Sequence, residues 1–370
     1  MGIIDKSLKL GNRERMIRAC LNLDIDRLPY WFMFGLWPET MPRWQNEGFP
    51  KERCENWREP FGFDTGFEAL PVNLGFYPEF ERKVISEDGD KITIRDTNGS
   101  TYTAKAGQSG IPHFIDFAVK NREDWESIKN ERLDPNSPER FPHDWLNVLK
   151  AMKERDAAIQ IGSYPYGLFG TLRDFMGFEG LLLAFYEEPE LIKDMMDYLT
   201  DFWITIYTKA LNDIQIDHIH IWEDMSGKTG PLISPAMFRE FIKPNYLKIV
   251  DFANQNNIPV ISVDTDGNMD IMMPLLEESG INFVFPFEVQ AGCDIVEYRK
   301  EFPGISIHGG IDKRKIALGR DETDKELDRI NELFNKSGYI PALDHLVPPD
   351  ISYNDFCYFT DRLKQMIGIN

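Results

Sequence analysis

Cysteine is scarce and scattered in this chain. The four, Cys20, Cys54, Cys293 and Cys357, form no CxxC pair, so neither a disulfide framework nor a cysteine-rich zinc site is indicated, and most of them read as buried thiols. Long apolar runs are missing as well. Nothing approaches the roughly 20 apolar residues a membrane helix needs, and the polar start MGIIDKSLKLGNRERM lacks a signal-peptide core. The expectation is a cytoplasmic protein without a membrane partner. Positive charge is also short, with 41 Lys and Arg against 61 Asp and Glu and a formal net charge of −20. No basic stripe is available for nucleic acid, and a strongly anionic substrate would find few counter-charges. No GxGxxG follows the first strand and there is no P-loop, so both phosphate-binding fingerprints are absent.

What the chain does have is apolar and aromatic mass. Its 370 residues are 42% hydrophobic and 13% aromatic, enough for a sizeable core with rings left over to line a cleft. A helix is expected from Asn12 to Leu23, then a short aromatic strand from Pro29 to Gly35, then an aromatic loop with Trp37 and Trp44. Between residues 75 and 107 the period changes to strict alternation around Asp88-Gly89-Asp90 and Asn98-Gly99, which predicts a small β-hairpin insertion on the rim of a single domain spanning 1–370. The stretch IDFAVKNREDWESIKNERLDP reads as a helix with one polar face.

From about Leu146 onward, helices alternate with strands: AAIQIG, DHIHIWED, IPVISVDTDG, INFVFPFE, ISIHGGID and YIPALDH. That alternation implies right-handed crossovers and a parallel sheet, and the strand number favours an α/β fold of the (β/α)8 TIM-type barrel class over an open doubly wound sheet. Barrel chemistry belongs at the strand C-termini. The residues there are Tyr164 and Tyr166; Trp222, Glu223 and Asp224; Asp264 and Asp266; Glu288; His308 and Asp312; and Asp344 with His345. Each alone has a plain reading: Asp266 or Asp312 as a helix cap, Asp344 as a turn residue, His308 as a packed imidazole. Five successive strands ending in carboxylate or imidazole read better as a site. In IPVISVDTDGN, period-two alternation projects Asp264 and Asp266 together from the strand end, a like-charged pair that needs a cation, a shared proton or a substrate. His218 and His220 sit too early in their strand and read as structural.

Two chemistries are open to such a set. Oxygen ligands with one or two imidazoles suit a divalent ion, zinc included, for which Glu288, His308 and His345 are candidates, with Asp264 and Asp266 as further ligands. Alternatively, carboxyls in a partly apolar pocket have raised pKa values and can donate protons, with Asp264, Asp266, Glu223, Asp224 and Asp344 as candidates. Phe34, Trp37, Tyr164, Tyr166 and Trp222 are the candidate substrate-binding rings.

The segments RMIRACLNLDIDRLPYWFMFG, GLFGTLRDFMGFEGLLLAFYEEPELIKDMMDYLTD, WEDMSGKTGPLISPAMFREFIKPNY, VDTDGN, FPFEVQAGCDI, HGGIDKRKIALG and GYIPALDHLVPPDISYNDF resemble the uroporphyrinogen decarboxylase-like superfamily over nearly the whole chain. The resemblance implies a (β/α)8 barrel and either cofactor-free decarboxylation or methyl transfer to or from a corrinoid or thiol. Two departures bear on the choice. The Arg-rich segment by which true decarboxylases hold porphyrinogen carboxylates is replaced by FMFGLWPETMPRW, with only Arg43 nearby. The His-x-Cys-Gly of thiol-activating relatives is replaced by Asp264 and Asp266. What remains resembles the first methyltransferase of O-demethylases. That implies a small methoxylated aromatic donor, a Co(I) corrinoid on a partner protein and an ether oxygen activated by a metal or a carboxylic acid. A homo-oligomer is open, and a decarboxylase of a less anionic substrate and a non-catalytic binding module are the alternatives.

Overall fold

The computed structural model describes residues 2–105 and 112–369. Seven strands form one wholly parallel curled sheet of the TIM-barrel kind, in the order β1 (Phe67–Ala69), β6 (Ala158–Ile161), β7 (His218–Trp222), β10 (Val260–Asp264), β11 (Phe283–Phe285), β12 (Ser306–His308) and β13 (Tyr339–Ile340). Strands β6, β7, β10, β11, β12 and β13 are buried at every position, as runs of β-branched and aromatic residues covered on both faces must be. Helices connect them. The longest, Pro189–Leu211, starts on a proline whose missing N–H costs nothing at that position, and it buries Leu191, Ile192, Met195, Met196, Leu199, Phe202, Trp203 and Ile206 on one stripe.

The expected strand from Pro29 is not a strand. The chain from Tyr30 to Trp37 crosses between the edges of the sheet, with Trp31 against Phe67 at 5.6 Å and a single parallel bridge from Leu36 to Val347. Conversely Phe67–Ala69, three residues between Gly66 and Leu70-Pro71, is a barrel strand that its length concealed.

The rim insertion is larger than a hairpin. It is a four-stranded antiparallel meander of β2 (Lys83–Asp88), β3 (Lys91–Arg95), β4 (Thr101–Lys105) and β5 (His113–Asp116), with turns at both expected sites, Gly89 and Gly99 in the left-handed region. Positions 106–107 of the expected insertion lie outside the described residues. The helix expected over IDFAVKNREDWESIKNERLDP is shorter: His113–Asp116 pairs with β4, and the helix is Arg122–Arg132, begun by the Asn121 side chain accepting from the Asp124 amide. A two-residue hairpin, β8 (Ser226–Gly227) with β9 (Gly230–Pro231), follows β7. No helix among the described residues is long and apolar enough to cross a membrane.

Candidate active site

Strand β10 delivers the centre of the mouth. Asp264 is its last residue, in register with Trp222 on β7 and Phe285 on β11. It is 7% exposed. Burial drives its carboxyl well above the ordinary range, and the neighbouring Asp266 and Asp224 push it further the same way. Asp266 follows two residues on, half-buried, its Oδ1 3.5 Å from His345 Nε2. Burial first, then Asp224 and Glu288, push its carboxyl up to about 7, while Lys313 and Arg173 pull back. Asp266 therefore caps no helix: the next one, Met272–Glu277, begins beyond Ile271. The sharp turn between them needs Gly267, at φ +86°, because a Cβ there would lie 2.5 Å from the Ser226 carbonyl.

Two cations flank the pair, and both are engaged. Asp224, in the left-handed region at φ 47°, takes an Arg173 Nη2 contact at 2.7 Å on its Oδ2, while its carbonyl accepts from Nη1 at 2.9 Å. Lys313 Nζ lies 3.3 Å from Asp344 Oδ1 and 4.0 Å from Glu288 Oε1. Asp344 is buried and also accepts from the Val289 amide at 3.1 Å, so it anchors the β11 and β13 loops to each other. Glu288 Oε2 accepts from the Gly267 amide at 3.1 Å, fixing the β10 turn. Arg173 and Lys313 escaped the sequence reading because each looks like an ordinary charged residue on a helix, in GTLRDF and DKRKI.

The histidines divide. His345 faces Asp266 and lies stacked on Phe34 at 4.7 Å, and burial lowers its pKa to about 4, so it is neutral. His308 is fully buried among Trp31, Phe34 and Phe285, and its Nε2 accepts from the Met33 amide at 3.2 Å. That corrects its candidacy as a metal ligand: the lone pair it would offer is taken by the backbone. His218 and His220 share the Ser262 hydroxyl at 2.7 and 2.9 Å inside the barrel, consistent with a structural role.

Glu223 also leaves the candidate list. Its Oε1 accepts from the Leu168 amide at 3.0 Å and the Tyr246 hydroxyl at 2.7 Å, and its Oε2 from the Phe169 and Gly170 amides at 2.6 and 3.1 Å. All four donors face inward and the residue is 0% exposed. It serves as the anion at the N-terminus of helix Leu168–Met176, and no acceptor is left for a substrate. Asp312, as its plain reading held, caps helix Lys313–Ile316 and pairs with Arg314.

Aromatic side chains wall the mouth unevenly. Tyr164 meets Trp222 edge-on at 4.7 Å, and the Arg173 guanidinium lies 5.1 Å over the Trp222 ring. Phe34 covers His345 from the opposite side. Tyr166 instead packs at Gly75, where a Cβ would sit 2.8 Å from its hydroxyl, and Trp37 is 39% exposed.

Residues 92–366 match the family model for uroporphyrinogen decarboxylase (URO-D). The chain belongs to the uroporphyrinogen decarboxylase family. A curated uroporphyrinogen decarboxylase of an Anaeromyxobacter species is 23% identical over 356 residues, covering 91% of this chain and 94% of that protein. One from Myxococcus xanthus is 24% identical over 257 residues, 67% of this chain and 69% of that protein. A solved methyltransferase from Methanosarcina mazei shares the fold with a TM-score of 0.53 at 15% identity, over 96% of this chain and 99% of its own.

Within this uroporphyrinogen decarboxylase family member the zinc expectation finds no fitting ligand set. Among the described residues no three His, Cys, Asp or Glu side chains form a group able to hold a metal ion. His308 is committed to the Met33 amide, and one oxygen of Glu288 to that of Gly267. The chemistry the arrangement offers is that of one buried and one half-buried carboxyl with raised pKa values beside an imidazole with a lowered one.

Proposed function

We propose that the protein is a methyltransferase that takes a methyl group from a small methoxylated aromatic donor and passes it to a Co(I) corrinoid carried by a separate protein. The observation that carries this reading is the Asp264–Asp266 pair: two carboxyls at the barrel mouth whose surroundings raise their pKa values, that of Asp266 to about 7, beside cations already engaged by acids. Such a mouth supplies a proton and has little to hold a polyanion, which supports a neutral ether over a multiply carboxylated porphyrinogen. The corrinoid supplies the nucleophile that accepts the methyl group.

This chain's own residues do the rest. Trp222, Tyr164 and Phe34 hold the ring of the donor and exclude water. Asp266 gives its proton to the ether oxygen as the carbon–oxygen bond breaks with its electron pair left on oxygen, so a neutral phenol leaves. Burial and the neighbouring Asp224 and Glu288 keep that proton in place, because a further carboxylate beside them ionises only at a penalty. His345, neutral at its lowered pKa, orients Asp266.

The pH dependence has a definite sign. The acid must be protonated to act, and Asp266 is raised to about 7. Turnover is expected to be flat below that value and to fall about tenfold per pH unit above it. A rate rising through neutral pH would instead identify a base.

The deciding experiment is anaerobic visible spectroscopy of a Co(I) corrinoid with the protein and a panel of methoxybenzenes. Loss of the Co(I) band supports methyl transfer; an unchanged spectrum with cobalt confirmed as reduced counts against it. The family and its curated relatives favour one second reading, decarboxylation of a less anionic substrate with the same acid protonating carbon. Carbon dioxide release without any corrinoid would establish it.

A further inference from the structure

The segment that runs past the ends of the curled sheet has no ladder. Between Tyr30 and Trp37 the backbone groups find their partners one at a time. The Tyr30 amide donates to Asp64 Oδ2 at 2.9 Å and its carbonyl accepts from the Asp64 amide at 2.8 Å. The Gly35 carbonyl and the Trp37 amide both meet Val347 at 3.0 Å. The centre of the segment is held by side chains alone. The Met33 amide donates to His308, while the carbonyls of Met33 and Phe34 accept from Arg58 Nη2 at 3.3 and 3.1 Å.

Arg58, like Arg299, is a cation without a carboxylate partner among the described residues. Burial lowers its pKa with no carboxylate opposing the shift, and no acid lies within ion-pair distance of it among the described residues. Its guanidinium rests 4.7 Å from the Trp57 ring and borders a cavity of about 280 Å³ lined by Glu55, Asn56, Trp57, Arg58 and Glu59. Arg58 is half-buried, and a cation partly out of water without an acid partner needs other acceptors; the two carbonyls supply them. The residue whose carbonyl it grips more closely is Phe34, and the Phe34 ring lies on His345, which faces Asp266.

We propose that Arg58 is a positioning residue: by standing in for the missing strand hydrogen bonds it fixes the Phe34 ring on His345, and so sets the wall of the site beside Asp266 from outside the mouth. Arg58 touches none of the reacting groups. The connection runs through two backbone carbonyls and one ring stack. It holds whichever reaction the mouth performs, so its test does not need the donor.

The test reads the His345 ring directly. In protein labelled with ¹³C-histidine the chain gives six histidine signals, and the His345→Gln variant assigns the one of interest. Stacking on Phe34 displaces that signal by ring current, and Phe34→Leu defines its unstacked position. Arg58→Ala is expected to move the signal most of the way to the Phe34→Leu position, and Arg58→Lys part of the way, because one ammonium on a shorter stem grips the two carbonyls less well. Low-millimolar guanidinium chloride, admitted by the adjoining cavity, is expected to restore the stacked position in Arg58→Ala, whereas equal sodium chloride does not. Arg58→Ala added to Phe34→Leu is expected to move the signal no further. An unmoved signal in both Arg58 variants overturns the proposal. So does a shift that sodium chloride reverses equally well, or one that adds fully to that of Phe34→Leu. Should Arg58→Ala lose cooperative unfolding, Arg58→Lys carries the same comparison.

Discussion

Asp266→Asn is expected to lower turnover by about 10²- to 10⁴-fold, the range over which a positioned general acid acts, while the protein stays folded. The amide has the carboxyl's shape but no proton to give at neutral pH. The loop does not rely on Asp266 for its conformation, because Glu288 holds the Gly267 amide and Gly267 makes the turn. Asp264→Asn acts differently. It exchanges a carboxyl whose pKa is raised well above the ordinary range for a neutral amide and leaves the acids that raise Asp266, Asp224 and Glu288, in place, so the falling limb of the pH profile is expected to stay where it is. Its effect on stability has a definite sign. Asp264 is raised in the folded state, so the stability it contributes is complete below the ordinary carboxyl range and is lost as pH rises through its folded value. Asparagine cannot ionise, so the variant is expected to melt at or above the wild-type temperature in alkaline buffer. Stopped-flow loss of the Co(I) band and thermal melts across pH check both statements. Wild-type turnover in Asp266→Asn would remove the acid role from this residue.

Glu223→Ala is expected to be the most destabilising single change at the mouth, by about 4 kcal/mol or more, since each buried donor left without a partner costs about 1–3 kcal/mol and four are freed at once. In a chain of this length that corresponds to a fall in Tm of about 5 °C. Three of the freed donors are the first amides of helix Leu168–Met176. That helix carries Arg173 to Asp224, so turnover should fall together with stability, unlike in Asp266→Asn. Tyr246→Phe, which frees no backbone group, is expected to cost only about 1 kcal/mol. Burial raises the Glu223 carboxyl from 4.5 to about 7 against the pull of its four donors. Its stabilising contribution is therefore present below about 4.5 and wanes as pH rises through about 7. Glu223→Gln should flatten this part of the stability profile, measured by urea unfolding between pH 5 and 8, conditions chosen to bracket the neutral range.

Much of this molecule was legible in its residues because the relevant signals are local. A run of β-branched and apolar residues marked Ile258 to Val263 as a strand, period-two geometry put both carboxyls on one face at its end, and Asp264 and Asp266 stand together at the mouth. The Gly89 and Gly99 turns followed from residue types alone. Errors came where local signals are weak or ambiguous. Phe67–Ala69 is too short to alternate, and Tyr30 to Trp37 looks like a strand although its partners are side chains. Glu223 carries the same charge as its neighbour Asp224, yet the two differ entirely in role, one saturated by a helix N-terminus and the other open to Arg173.

The sequence by itself therefore determined the strand–helix alternation, the family and the acidic character of the strand ends, because these depend on residue type and on spacings of two to four positions. Tertiary structure alone decided which of those acids have raised pKa values, which are consumed by the fold, that Arg173 and Lys313 flank the mouth, and that Arg58 holds the segment behind it. Their partners lie 24 to 51 residues away in the chain, and only the curling of a parallel sheet, which gathers the ends of distant strands onto one face, brings them into contact.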